Sequence, residues 1–177
     1  MPLYLDTSAL AKRYLPEGTS SQTVRRILGR STNWGGSVVS AIVNPEVVSA
    51  FATKIRANSI PLQRREAIAR FPELVAEFRR EFESGVFRIL PVNDEILDDA
   101  ARLIAAKPTL NIGAADAIHL ATAMEVRDRL ASGVSLVFVT ADRGLAEAAD
   151  KEDFPVFDPL YHRMDRLDEI PGLRTAP

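Results

Sequence analysis

The 177-residue chain contains no cysteine and only two histidines, His119 and His162. Without thiols there can be no disulfide, no thiolate metal site and no sulfur redox chemistry, and a reducing compartment is expected. No stretch approaches the roughly 20 apolar residues that cross a bilayer. The N-terminus enters Met1-Pro2-Leu3-Tyr4-Leu5-Asp6 with neither a charged leader nor a cleavage site. The expected address is therefore cytoplasmic, with no membrane partner. Tryptophan occurs once, at Trp34, and is expected in the core rather than as a platform for stacking bases. Charge of one sign is lacking too: 22 Lys+Arg against 24 Asp+Glu leave a formal net charge of -2. That balance neither demands nor excludes a polyanionic partner, because local charge decides more than the sum. Repeats, low-complexity tracts and linkers are absent, so one domain over residues 1–160 is expected, followed by a loosely held, charged tail over 161–177.

What is present is an alternation of short apolar runs and amphipathic helical periods. Strands are read at Leu3-Tyr4-Leu5, Ser37-Val38-Val39, Val86 to Leu90, Val134 to Val139 and Val156-Phe157. Helices are read over Ala9 to Leu15, Thr19 to Ser31, Ser40 to Ala57, Pro61 to Glu83, Asp94 to Ala106, a stretch carrying Asp116, and one beginning after Asp142. Two prolines complicate this reading. Either Asn44 caps a helix that starts at Pro45, or a first turn from Ser40 bends there; Pro72 is expected to kink or divide the long charged helix. Strands alternating with helices predict an α/β fold, with a mainly parallel sheet covered on both faces.

Four acids stand out. Asp6 follows the first strand and Asp142 the fourth, at the carboxyl ends where open α/β sheets bind ligands. Each has an ordinary reading as a helix cap, since Asp, Thr and Ser lead both helices. Asp116 lies in the first turn of a helix with apolar residues on nearly every side, where a carboxylate needs a cationic partner or a shifted pKa. Glu46 lies near a helix start that can face the same rim, although an exposed helical glutamate is the plain alternative. Carboxylates crowded together repel unless a cation sits among them. Oxygen donors without cysteine select hard ions, Mg²⁺ or Mn²⁺, and such ions in an acidic cleft serve phosphoryl chemistry.

The segments Tyr4-Leu5-Asp6-Thr7-Ser8-Ala9-Leu10, Ser40 to Glu46, Ala115-Asp116-Ala117-Ile118-His119-Leu120-Ala121-Thr122-Ala123 and Phe138-Val139-Thr140-Ala141-Asp142 together resemble the PIN-domain ribonucleases, and among them the VapC-type toxins of toxin–antitoxin modules. The likeness runs over about residues 3 to 158. It implies a three-layer α/β/α fold with a central, mainly parallel sheet of about five strands. By matching position it implies Asp6, Glu46, Asp116 and Asp142 as catalytic, metal-binding acids, and Ser8 and Thr140 as supporting hydroxyls. The activity implied is metal-dependent hydrolysis of RNA. The implied partners are an RNA substrate, a small antitoxin and a second copy in a homodimer.

Phosphate contacts are sought among Lys12-Arg13, Arg25-Arg26, Arg64-Arg65, Arg79-Arg80 and Arg143, of which Arg143 adjoins Asp142. His119, three residues after Asp116, is assigned to packing rather than to ligation, since hard ions prefer oxygen. The rival readings are a catalytically silent RNA- or protein-binding module of the same fold and a receiver-like signalling domain. The latter wants paired acids after the first strand, where Asp6 is followed by Thr7, and a lysine at a late strand end. A haloacid-type phosphatase would need a second acid where Ser8 stands.

Overall fold

A computed structural model describes residues 1–15, 18–32, 35–57 and 64–162, together with the backbone but not the side chains of Arg64 and Ala67. Trp34 and most of the tail fall outside these residues. Five strands form one all-parallel sheet: β1 (Leu3–Leu5), β2 (Ser37–Ser40), β3 (Arg88–Leu90), β4 (Val137–Val139) and β5 (Val156–Phe157), in the order β3-β2-β1-β4-β5. The helices are α1 (Thr7–Tyr14), α2 (Thr19–Ser31), α3 (Val43–Arg56), α4 (Arg64–Glu83), α5 (Asp94–Ala106), α6 (Ala114–Asp128) and α7 (Arg143–Lys151).

Side chains alternate across a strand, and here the two faces build two separate cores. Leu3, Leu5, Val39, Val137 and Val139 face α1 to α4. Tyr4, Val38 and Phe138 face α5, α6 and α7. Tyr4 stacks on Phe138 with ring centroids 5.1 Å apart, and Phe138 in turn meets Phe154. On the other face Tyr14, Phe51 and Phe78 meet edge to face. Because the strands are buried on both sides, their sequences are nearly continuous apolar runs, and the three-layer architecture follows.

The order of the strands places the site. From β1 the chain moves outward on one side through β2 and β3, then returns to add β4 and β5 on the other. The segment leaving β1 turns into α1 on one face, whereas the segment leaving β4 turns into α7 on the opposite face. The two connections diverge at the carboxyl ends of β1 and β4, the switch point at which open α/β sheets bind ligands.

One alternative for each proline is overturned. Helix α3 starts at Val43, with Ile42 in the cap position and no side-chain cap, so Asn44 does not cap it. Pro45 is its third residue, inside the first turn, where an amide has no intrahelical acceptor and its loss costs nothing. Helix α4 runs undivided from Arg64 to Glu83 through Pro72. Proline removes the bond to the carbonyl four residues earlier. That residue, Ile68, is 54% exposed, so water can satisfy the oxygen.

Helix α1 also begins two residues earlier than read, because Asp6 caps it at Thr7. Strands β3 and β4 are shorter than their apolar runs. Val86 is 49% and Val134 40% exposed, so the outer part of each run lies beyond the ladder. Among the described residues no helix is long and apolar enough to cross a membrane.

Candidate active site

Asp6 is 3% exposed at the carboxyl end of β1. Its Oδ1 accepts the Ala9 N–H at 2.9 Å, the helix cap that the sequence suggested. Capping uses only part of the group. The Ser8 hydroxyl reaches both carboxylate oxygens, at 3.0 and 2.8 Å, and Thr140 Oγ1 donates to Oδ2 at 2.9 Å from the end of β4. The two hydroxyls also tie the strand ends together: Ser8 Oγ accepts from the Ala141 N–H and Thr140 Oγ1 from the Asp142 N–H. Burial pushes the Asp6 carboxyl up, and the His119 field and these hydrogen bonds only partly offset it. The fold thus holds a carboxylate it solvates incompletely.

Asp142 caps α7, accepting the Leu145 N–H at 2.9 Å through Oδ1. Asp116, half-buried in the first turn of α6, accepts the Gly113 N–H at 2.8 Å through Oδ2. Among the described residues nothing hydrogen-bonds Asp116 Oδ1, Asp142 Oδ2 or Glu46 Oε1. The two helix starts are brought together at Gly144. A Cβ there would lie 2.5 Å from the Asn111 carbonyl oxygen and 3.3 Å from Asp142 Oδ1. Only glycine lets the segment before α6 lie against the first turn of α7. Burial raises the Asp116 pKa, and the negative charges of Asp142 and Glu46 raise it further. For both charges to reach Asp116, the three acids must share one rim.

Glu46 reaches that rim from α3. Its Oε2 accepts from Thr7 Oγ1 at 2.6 Å and pairs with His119 Nε2 at 2.8 Å. Burial opposes ionisation of Glu46, but the hydrogen bonds from His119 and Thr7 and the histidine's field outweigh it, and the carboxyl lies below its usual range. His119 is 2% exposed, and its Nδ1 lies 2.9 Å from the Tyr4 hydroxyl. Tyr4, Thr7 and His119 were not identified as site residues from sequence. The available signals were spacings: Tyr4 and Asp6 are two apart on a strand end, and His119 follows Asp116 by three on a helix.

The structure therefore gathers Asp6, Ser8 and Thr140 into one hydrogen-bonded knot, joins Glu46 to α6 through His119, and sets Asp116 in the field of Asp142 and Glu46. It does not assemble a closed cage. Among the described residues no group of three or more His, Asp or Glu side chains is arranged so that it could hold a metal ion. The donors nonetheless fit a hard cation in kind: all four are carboxylates, and three keep an oxygen without a hydrogen bond among the described residues.

The basic candidates are dispersed. Arg143 is 89% exposed and pairs with Glu147 at 3.0 Å. Arg13 is committed to Glu81 by two bonds of 2.6 Å, and Arg25 donates to the Arg13 carbonyl. Arg26, Arg65, Arg79 and Arg80 are exposed on α2 and α4.

Among known proteins, no curated sequence matches the chain. A solved structure described as FitAcB from Neisseria gonorrhoeae is similar in fold, with a TM-score of 0.59 and 22% sequence identity, covering 90% of this chain and 99% of that one. The PIN domain family model matches residues 3–151, the whole span from β1 to the end of α7. The chain belongs to the PIN domain family, whose members are generally metal-dependent nucleases.

Proposed function

We propose that this protein is an endoribonuclease dependent on Mg²⁺ or Mn²⁺, and the toxin of a toxin–antitoxin pair. The observation that carries the reading is the rim itself: the His119 ring acts on Asp6, Glu46 and Asp116 alike, and Asp116 also feels the charges of Asp142 and Glu46, at the sheet's switch point. Asp6, Glu46, Asp116 and Asp142 would hold the ion. When bound, such a cation neutralises phosphate charge and lowers the pKa of water to make a nucleophile. The chain's own part is to fix the acids. Ser8 and Thr140 hold Asp6 in one rotamer, Thr7 and His119 hold Glu46, and Asp142 is pinned by capping α7. Arg143, exposed beside Asp142, offers a guanidinium to the RNA backbone.

One observation favours a second reading, a silent binding module: no metal-holding triad is assembled among the described residues. A receiver domain is disfavoured by topology, since that fold has the order 2-1-3-4-5 and this sheet has β3-β2-β1-β4-β5. The deciding experiment incubates the purified chain with structured RNA, with and without EDTA, beside Asp6→Ala and Asp116→Asn. The expected result is cleavage that needs the ion and is lost in both variants. Cleavage surviving both substitutions refutes the nuclease site, and a wild type that binds RNA without cutting it favours the silent module. The antitoxin and the homodimer rest on resemblance to VapC-type toxins, and co-expression with the adjacent reading frame tests the first of them.

A further inference from the structure

The sheet's centre carries a polar chain that metal chemistry alone does not require. Tyr4 is fully buried, stacked on Phe138, and its hydroxyl lies 2.9 Å from His119 Nδ1. The hydroxyls of Thr122 and Ser40 lie against the same phenol, and Thr122 Oγ1 also meets Ser40 Oγ at 3.3 Å. At its other end the ring meets Glu46 Oε2 at 2.8 Å, with Thr7 Oγ1 3.2 Å from the same nitrogen. A buried polar array of this kind is costly unless each member is satisfied, and here each one is.

An ionised carboxylate only accepts, so Nε2 must carry the proton that Glu46 receives. Nδ1 faces the Tyr4 hydroxyl at 2.9 Å. The ring is thus held from both sides, in one orientation.

We infer that His119 is a positioning residue which, anchored by Tyr4, sets the Glu46 carboxylate by donating Nε2–H to Oε2, so that Oε1 is presented to the cation. His119 itself is no ligand. Both ring nitrogens are engaged, and the anchor lies in the sheet's interior rather than at the rim. The inference rests on the metal-dependent site proposed above. It adds that α6 governs the site through a residue other than Asp116.

The test uses the full chain and Mn²⁺ alone as probe. In the metal-free wild type, long-range ¹H–¹⁵N correlation of the imidazole should show the proton on Nε2. His119→Asn, too short to reach Glu46, should weaken Mn²⁺ binding about tenfold to a hundredfold, the usual effect of removing a hydrogen bond behind a ligand. Tyr4→Phe, which keeps the ring in the core, should fall between that variant and wild type. His119→Gln places an amide donor near the Nε2 position and should recover affinity to within a few-fold. In RNA cleavage the same order should appear in kcat, with KM for RNA unchanged. Circular dichroism confirms that each variant is folded.

A wild-type ring protonated on Nδ1 alone overturns the inference. So does a folded Tyr4→Phe and His119→Asn pair that binds Mn²⁺ as wild type does, and so does a wild type with no Mn²⁺ affinity. A protein that binds Mn²⁺ in this pattern but cuts no RNA supports the positioning role and refutes only the nuclease reading.

Discussion

Asp6→Asn should make the metal-free protein more stable while abolishing its activity. The carboxylate is 3% exposed, and burial raises its pKa against four opposing influences. The substitution removes the charge yet keeps the hydrogen-bond shape. The amide oxygen can still accept the Ala9 N–H, and the new NH₂ meets Ser8 and Thr140, whose hydroxyls can turn from donor to acceptor. Charge-assisted bonds become neutral ones, a loss of roughly 1 kcal/mol each, against a desolvation penalty of several kcal/mol that disappears. Because the pKa is raised, desolvation is the larger quantity. The net gain should be on the order of 1 kcal/mol, about 2–4 °C in Tm for a chain of this size.

The pH dependence fixes the sign. A carboxyl whose folded pKa lies above its unfolded value destabilises the fold as pH rises from the unfolded pKa through the folded one. Wild type and Asp6→Asn should therefore melt together at acid pH and diverge toward neutrality, with the variant higher. Melting in EDTA at pH 4 and pH 7 measures this. Added Mg²⁺ should raise the wild-type Tm and leave the variant nearly unmoved, since only a protein that binds the ion gains from it. A variant melting at or below wild type at pH 7 in EDTA would refute the claim that Asp6 is held against its own solvation.

Two other perturbations probe the supports. Glu81 accepts two bonds from Arg13 and one from Tyr14, tying α4 to α1, and the Arg13 guanidinium holds its carboxyl below the ordinary value. That contribution is present above the unfolded pKa and is lost as pH falls through the depressed one. Glu81→Gln should cost about 1–3 kcal/mol at neutral pH and much less near pH 3, read by urea denaturation, and an equal cost at both values would refute it. Gly144→Ala would place a methyl against the Asn111 carbonyl and Asp142, so it should cost about 1–3 kcal/mol and depress kcat as the two helix starts are forced apart. Wild-type kcat and Tm together would show that the contact relaxes freely.

Much of the architecture was legible from sequence because one period governs it. Strands buried on both faces appear as unbroken apolar runs, and β1, β2, β4 and β5 were found where their runs lie. The ends were less legible. Val86 and Val134 continue their runs but are exposed, since a ladder ends where its neighbour ends and not where hydrophobicity does. Pro45 does not start α3 and Pro72 does not divide α4, for a related reason. Proline costs a helix only the bond it removes, so the penalty vanishes in a first turn and shrinks where the orphaned carbonyl meets water.

The acids show why local and functional readings need not compete. Asp6 and Asp142 do cap α1 and α7, as an ordinary reading of either stretch requires. Capping is also what aims them, because an N-cap carboxylate is fixed at the junction of strand and helix, and in this topology the β1 and β4 junctions are neighbours. What the sequence could not display is the set of contacts across chain separations: Thr140 to Asp6, His119 to Glu46, Gly144 to Asn111. None has a local signature, since each depends on the order in which strands enter the sheet.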